Sequence, residues 1–318
     1  MINMNFLNKE INYSEILLSL KTDGAWVGNN LIKKEYINKL LLDFPNTLNF
    51  NDNNNGKVVY NNQKFISQTL AHSKNTFDLI TSEPIHSIFL NTLGLCTIKS
   101  SRYYETDRDG ISMWHHDEQE DQSAQEGLIF IVYLNEVKDL NSGPFEFIKG
   151  SYKYSETLKE NDFLAKNIKN KFDDKIISVY GDIGTVIIAN TKTIHRARAH
   201  TKKFVRKSLF SQISKISNTN SNYRERILLN PAFLKNKLLQ EEKVRFLLGI
   251  DMYNSNNIFP PSSLSTVPFK TIYIQIFLKW FTKGLGKKIF EILPIFIKKI
   301  IRCLFKRKID YDSFNGKI

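Results

Sequence analysis

The stretch "SMWHHDEQED", Ser112 to Asp121, crowds two histidines and several acids and amides into ten residues. In an extended strand, residues i and i+2 face the same way. His115 and Asp117 can therefore aim an imidazole and a carboxylate at one point, with His116 turned aside. Two such ligands hold a metal weakly. A second imidazole would complete a two-His, one-carboxylate face that leaves three positions of an octahedral ion open to other molecules. The bland alternative is a solvated acidic loop. Four histidines remain as the third ligand: His72, His86, His195 and His200.

The scaffold for such a site reads as mostly sheet. From about Leu95 the chain becomes a series of short runs rich in Ile, Val, Tyr, Phe and Thr. These are "LCTIKSSRYYE", "EGLIFIVYLNEV", "DKIISVY", "GTVIIAN" and "RKSLFSQIS", separated by "DRDG", "NSGP" and "GDIG". Short strands bounded by Gly, Asp, Asn and Pro argue for an antiparallel sandwich or barrel. Helices flank them. Ser14 opens "SEILLSLKT" (14–22) as a cap. "DGAWVGN" (23–29) reads as a turn into a short strand, and "KKEYINKLLLDF" (33–44) as a helix stopped by Pro45. Residues 64–95 carry a mixed, helical pattern, and 221–249 return to helix, ending at Gly249.

With 318 residues, the chain suits one sizeable domain with appendages or two small ones. Its 42% hydrophobic and 12% aromatic content fits a packed core, not wholesale disorder. Cys96 and Cys303 form no disulfide framework and match no zinc spacing, which fits a reducing compartment. The first residues lack the basic start and long apolar run of a signal peptide. The net charge of +13 is uneven: residues 268–308 hold eleven Lys or Arg and one acid, Glu291. The rest is close to neutral, so the charge is no general signal for nucleic acid.

Four segments follow one another in order: "WHHD" (114–117), "NSGPFEFIKGSYKYS" (141–155), "GDIGTVIIAN" (181–190) and "IHRARAHTKKFVR" (194–206). Together they resemble the phytanoyl-CoA dioxygenase family of Fe(II)- and 2-oxoglutarate-dependent oxygenases. That family has a His-x-Asp pair, an Asn-Gly-Pro turn before a Gly-Ser-His/Tyr motif, a Gly-Asp strand, and a distal His followed by an Arg. "DGAWVGNNLIKKEYINKLL" resembles its entry strand and helix, so the likeness covers roughly residues 20–215. It implies a double-stranded β-helix (jelly-roll, cupin-like) core. It implies His115, Asp117 and His195 as iron ligands and Arg206 as the partner of the distal carboxylate of 2-oxoglutarate. Arg offers a planar, always charged fork that matches a carboxylate at two points. The "RARAHTKKFV" stretch reads as a hairpin that would make the strands of His195 and Arg206 neighbours.

There are departures. His116 stands where the family often has Gln, and Ala197 where it often has a small polar residue two places after the distal His. Thr97, Lys99 or Ser101 could supply the missing polar contact to the cosubstrate. Asp117 is kept, whereas related halogenases replace it with a small residue, so hydroxylation is implied. Trp114 reads as packing, Gly143 and Pro144 as a structural turn, and Tyr103 and Tyr104 as either pocket mouth or strand packing.

The stretch 271–308 is interrupted by lysines in every window long enough to span a bilayer. Ile289, Leu293, Phe296, Ile300 and Leu304 fall at helical spacing beside a stripe of Lys298, Arg302 and Lys306. That suits a helix lying on an anionic membrane surface, or one packed on protein.

The expectation is thus a mainly β protein with flanking helices. Its jelly-roll oxygenase domain covers residues 10–220, and a helical C-terminal region covers 221–318, with a basic tail at about 270–308. Fe(II), 2-oxoglutarate and O2 are the expected cofactors and cosubstrates. The substrate class is a small molecule, or a glycan or lipid-linked intermediate, with no nucleic acid. The location is cytoplasmic, with peripheral membrane contact through the tail. Two alternatives stand beside it: a non-catalytic jelly-roll adaptor working through the tail, and another cupin-type metal enzyme.

Overall fold

In the computed structural model of the protein, the described residues are 6–44, 58–60, 63–67, 69–106, 114–117, 127–153, 172–198, 204–215, 228–230, 233, 241–250 and 263–264. Seven strands form the larger sheet: β1 (Ala25–Gly28), β2 (Val58–Tyr60), β3 (Gln63–Ser67), β4 (Cys96–Thr106), β5 (Gly127–Tyr133), β8 (Val186–Asn190) and β10 (Arg206–Lys215), in the order β1-β8-β5-β10-β4-β3-β2. The smaller sheet holds β6 (Phe145–Ile148), β7 (Ile176–Val179) and β9 (His195–Ala197), in the order β7-β6-β9. An antiparallel bridge between His115 and His195 adds the 114–117 segment as its fourth member.

From β4 onward the chain crosses repeatedly between the two sheets, which is the double-stranded β-helix. One apolar layer joins them: Ala25, Ile129, Ile131, Tyr133, Ile187 and Ala189 from the larger sheet meet Phe145, Phe147 and Val179 from the smaller. The other face of the larger sheet is covered by helices. Leu128, Phe130 and Val132 lie in one cluster with Ile16 and Leu20 of α1 (Tyr13–Thr22) and Phe89 of α5 (Glu83–Leu93). Phe89 meets Phe130 edge-on at 5.6 Å between ring centroids. This two-sided burial explains why β5 reads "GLIFIVY", with no polar alternation. Each such side chain contributes roughly 1.5–3 kcal/mol on leaving water.

Three further helices complete the cover: α2 (Lys34–Leu41), α3 (Thr69–His72) and α4 (Lys74–Thr81). A sixth, α6 (Glu242–Leu248), contributes Val244, Leu247 and Leu248 to the same apolar cluster. The "GDIG" turn before β8 needs its last glycine. Gly184 has φ +83, and an added Cβ would collide with the carbonyl group of Ile32.

Several expectations are corrected. Asn12, not Ser14, caps α1, its side chain accepting from Glu15 N at 3.2 Å. The helical reading of 64–95 fails at its start, where Gln63–Ser67 pairs with β4 as a strand. Within 221–249, Leu228–Leu229 (β11) pairs in parallel with Ser263–Leu264 (β12), so that part is extended. His195 and Arg206 are not on neighbouring strands. β9 pairs with β6, while β10 pairs with β4 and β5, so the intervening residues carry the chain from one sheet to the other. The physical reason is that each strand has its own apolar inner face, and two opposed sheets bury both.

The basic tail, Glu118 to Asp121 and His200 lie outside the described residues. Among the described residues no helix is long and apolar enough to cross a membrane.

Candidate metal centre

The bridge between the 114–117 segment and β9 sets the candidate ligands side by side. His115 N donates to His195 O at 3.0 Å, and His195 N returns the bond to His115 O at 2.8 Å. Asp117 N donates to Thr191 O at 3.0 Å, which brings the carboxylate round to the same side. His115 Nε2 lies 3.6 Å and His195 Nε2 3.7 Å from Asp117 Oδ1. The ligand atoms all fall within 4.8 Å of one another. Bonds of about 2.1 Å to a divalent first-row ion place cis ligands roughly 3 Å apart, so a small inward movement closes the face.

The protonation state is also arranged. His195 Nδ1 lies 2.8 Å from the carbonyl oxygen of Thr193. A carbonyl can only accept, so Nδ1 carries the proton and Nε2 presents its lone pair toward Asp117. Burial, with the neighbouring His115 charge, pushes His195 down to about 4, so the ring is neutral at ordinary pH. Asp117 Oδ2 is buried with no hydrogen-bond partner among the described residues. A carboxylate oxygen stranded in this way points to a cation.

Arg206 presents the complementary case. It is buried at the start of β10, donating through one Nη to Gly143 O and through the other to Thr106 Oγ1 at 3.4 Å. Its Nε has no partner, and no carboxylate pairs with it among the described residues. Burial pushes its pKa down from the ordinary arginine value, which the Tyr133 hydroxyl opposes. Gly143 holds a left-handed backbone (φ 67) just before Pro144 and β6. Phe145 of that strand stacks on His195 at 5.3 Å between ring centroids. Phe145 N donates to Tyr133 Oη at 2.9 Å, so the strand that supports His195 is tied to β5 of the larger sheet.

The other sequence-singled residues scatter. Thr97 donates to Leu247 O of α6 at 3.4 Å. Lys99 is buried at the bulge where β4 gains one residue on β10. Both stand toward the opposite end of the β4–β10 pairing from Arg206. Ser101 joins a buried hydroxyl chain with Thr69 (2.6 Å) and Ser211 (3.0 Å). His72 contacts the Asp43 carbonyl, and His86 is buried in α5, so neither joins His115 and Asp117. Tyr103 is fully buried and donates to Glu105, while Tyr104 packs against Phe65 and Phe210.

Sequence reasoning missed the back of the smaller sheet. Glu146 is fully buried there, bonded to Arg196, Arg198 and Ser178. Burial pushes its carboxyl up, but those three bonds outweigh it and hold the acid below its ordinary range. The signal was present: an acid between two phenylalanines in "PFEFI", and "RAR" with both arginines on one face of a strand.

No protein-family profile matches the chain, and no curated protein matches it in sequence. Solved structures do share its fold. EctD from S. alaskensis, solved with 2-oxoglutarate and 5-hydroxyectoine, has a TM-score of 0.54 at 18% identity, over 71% of this chain and 86% of that one. HygX from Streptomyces hygroscopicus, solved with nickel, 2-oxoglutarate and hygromycin B, has 0.53 at 14% identity, over 68% and 90%. The non-heme alpha ketoglutarate dependent epimerase SnoN, from nogalamycin biosynthesis, has 0.52 at 14% identity, over 64% and 83%. At such identities the likeness is one of fold: this chain has a jelly-roll core like theirs.

Proposed function

We propose that the protein is an Fe(II)- and 2-oxoglutarate-dependent oxygenase that hydroxylates a small molecule, akin in motif order to the phytanoyl-CoA dioxygenase family. One observation carries the reading. Two oppositely charged groups, Asp117 and Arg206, each bury a polar atom that finds no partner among the described residues. A cation beside Asp117 and a carboxylate beside Arg206 would satisfy both.

His115, Asp117 and His195 would hold the metal on one face. Two neutral imidazoles and one carboxylate reduce a divalent ion to a single positive charge, which favours an anionic chelator on the open face. Arg206 would take the far carboxylate of that chelator from the start of β10 in the larger sheet. Bound Fe(II) and 2-oxoglutarate supply oxygen activation, coupling decarboxylation of the cosubstrate to oxidation of a C–H bond. The chain orients them and keeps water out, through the apolar layer of Ile129, Ile131, Phe145 and Phe147. Support for these cofactors and for a small-molecule substrate comes from fold relatives solved with Fe3+, alpha ketoglutarate and nogalamycin RO, and with nickel, 2-oxoglutarate and hygromycin B.

The test is anaerobic titration with Fe(II) and 2-oxoglutarate, following the weak visible charge-transfer band. The band is expected in the wild type and lost in His195→Ala. A wild type with no band, or a variant with an unchanged one, rejects the proposal.

A further inference from the structure

The back of the smaller sheet carries a row of side chains that crosses all four of its members. Ser178 pairs with Glu146 in the β7–β6 register, and Glu146 with Arg196 in the β6–β9 register. The antiparallel bridge of His115 to His195 sets Trp114 opposite Arg196. The contacts follow the register. Ser178 Oγ donates to Glu146 Oε1 at 2.8 Å. Arg196 gives Glu146 Oε2 two contacts of 2.7 Å, from Nε and Nη2. The guanidinium lies 4.3 Å from the centre of the Trp114 ring. Trp114 in turn packs on Ile148, Ile194 and Phe172.

One residue along the same strands, His115 and His195 project from the other face. Each member of the Arg196–Trp114 contact is therefore the chain neighbour of a candidate metal ligand. A planar guanidinium can pair with a carboxylate through its edge while stacking its face on an aromatic ring. Arg196 does both at once. Arg198 bonds the same carboxylate at 2.7 Å, but among the described residues the guanidinium stacked on Trp114 is that of Arg196.

We infer that Arg196 is a positioning residue for the metal centre: held by Glu146 and stacked on Trp114, it fixes the His115–Asp117 segment against the His195 strand from behind. The inference rests on the metal reading proposed above. A face of three ligands binds tightly only when its members are held within about 0.5 Å of their working places. Partners behind the ligands typically carry tenfold to hundredfold in metal affinity.

The experiment is Co(II) titration of the full chain, read by its visible absorption, for wild type, Arg196→Met and Arg198→Met. Arg196→Met is expected to weaken Co(II) binding about tenfold to a hundredfold and to alter the absorption band. Arg198→Met, which removes a bond to Glu146 but nothing from Trp114, is expected to stay within about twofold of wild type. A general loss of stability would not separate the two arginines or change the band. Should Arg196→Met fail to fold, Arg196→Lys is read in its place. It keeps the charge and loses the planar fork, and at least a fivefold loss is expected. Wild-type affinity and spectrum in the Arg196 variant, or equal losses in both arginine variants, overturn the inference alone. A wild type that binds no Co(II) overturns the metal reading and the inference with it.

Discussion

Arg206 leaves the larger sheet to donate to the carbonyl of Gly143, the residue that turns the chain into the smaller sheet. The two are 63 residues apart in the chain. The contact satisfies one edge of the guanidinium and leaves Nε without a partner among the described residues. The rim of the proposed pocket thus carries a fixed, buried positive charge.

Replacing that charge should separate cosubstrate from metal. Hydrogen bonds to charged groups contribute about 1.5–3 kcal/mol each, and about 1.4 kcal/mol is tenfold in affinity. Arg206→Lys is expected to weaken 2-oxoglutarate binding about tenfold, and Arg206→Met about a hundredfold or more, in titrations of the charge-transfer band. Co(II) affinity without 2-oxoglutarate is expected to stay near wild type. An equal fall in both would mean that Arg206 acts through the Gly143 turn on the smaller sheet.

Metal should stabilise the fold. At a hundred times Kd, a ligand of the native state adds about 2.7 kcal/mol, or roughly 5 °C in melting temperature for a chain of this size. Wild type is expected to gain that on adding Co(II). Asp117→Asn is expected to gain nothing, yet to melt no lower than wild type when metal-free, because it removes a stranded buried carboxylate oxygen. A metal-free melting point several degrees lower would mean that Asp117 is a structural group.

Acid should weaken the metal-free protein. Burial pushes His86, His116 and His195 down to about 4 from an ordinary 6.5. Above 6.5 both folded and unfolded chains leave these rings neutral, so they contribute no pH dependence. Below it the unfolded chain takes up protons that the fold refuses, and stability falls until about pH 4. For His86 alone the loss is about 1.5 kcal/mol between pH 6.5 and 5. His86→Leu is expected to flatten the acid limb of a melting-temperature profile, and an unchanged slope would count against its burial as a neutral ring.

Gly184 tests the joint between the entry strand and the core. Its N–H donates to Tyr133 O at 2.8 Å, and its carbonyl accepts from Ile32 N at 3.0 Å. Gly184→Ala adds a Cβ in a left-handed backbone against the Ile32 carbonyl group, and is expected to cost at least about 2–3 kcal/mol. Thermal or urea unfolding reads the loss. A melting point within a degree of wild type would refute the close approach.

Much of the site was legible because it depends on local periodicity. The i, i+2 rule set His115 and Asp117 on one side and His116 on the other, and the bridge to His195 has that form. The strands from Leu95 onward were legible from their β-branched and aromatic runs. Element ends were less so. Gln63–Ser67 was hidden in a helical texture, since a five-residue strand carries too few alternations to stand out. Leu228–Leu229 gained its strand from a partner thirty-five residues away.

What the amino-acid order determined by itself is the chemistry on offer: one His-x-Asp pair, a later histidine, an arginine eleven residues on, and strands able to carry them. Only the tertiary structure decided which groups meet. It put His195 and Arg206 on different sheets, linked Thr97 to Leu247, and aligned Glu146, Arg196 and Trp114 behind the candidate ligands. The reason is physical. Side-chain alternation is local, whereas sheet membership and register come from burying two apolar faces at once. That condition couples residues far apart in the chain.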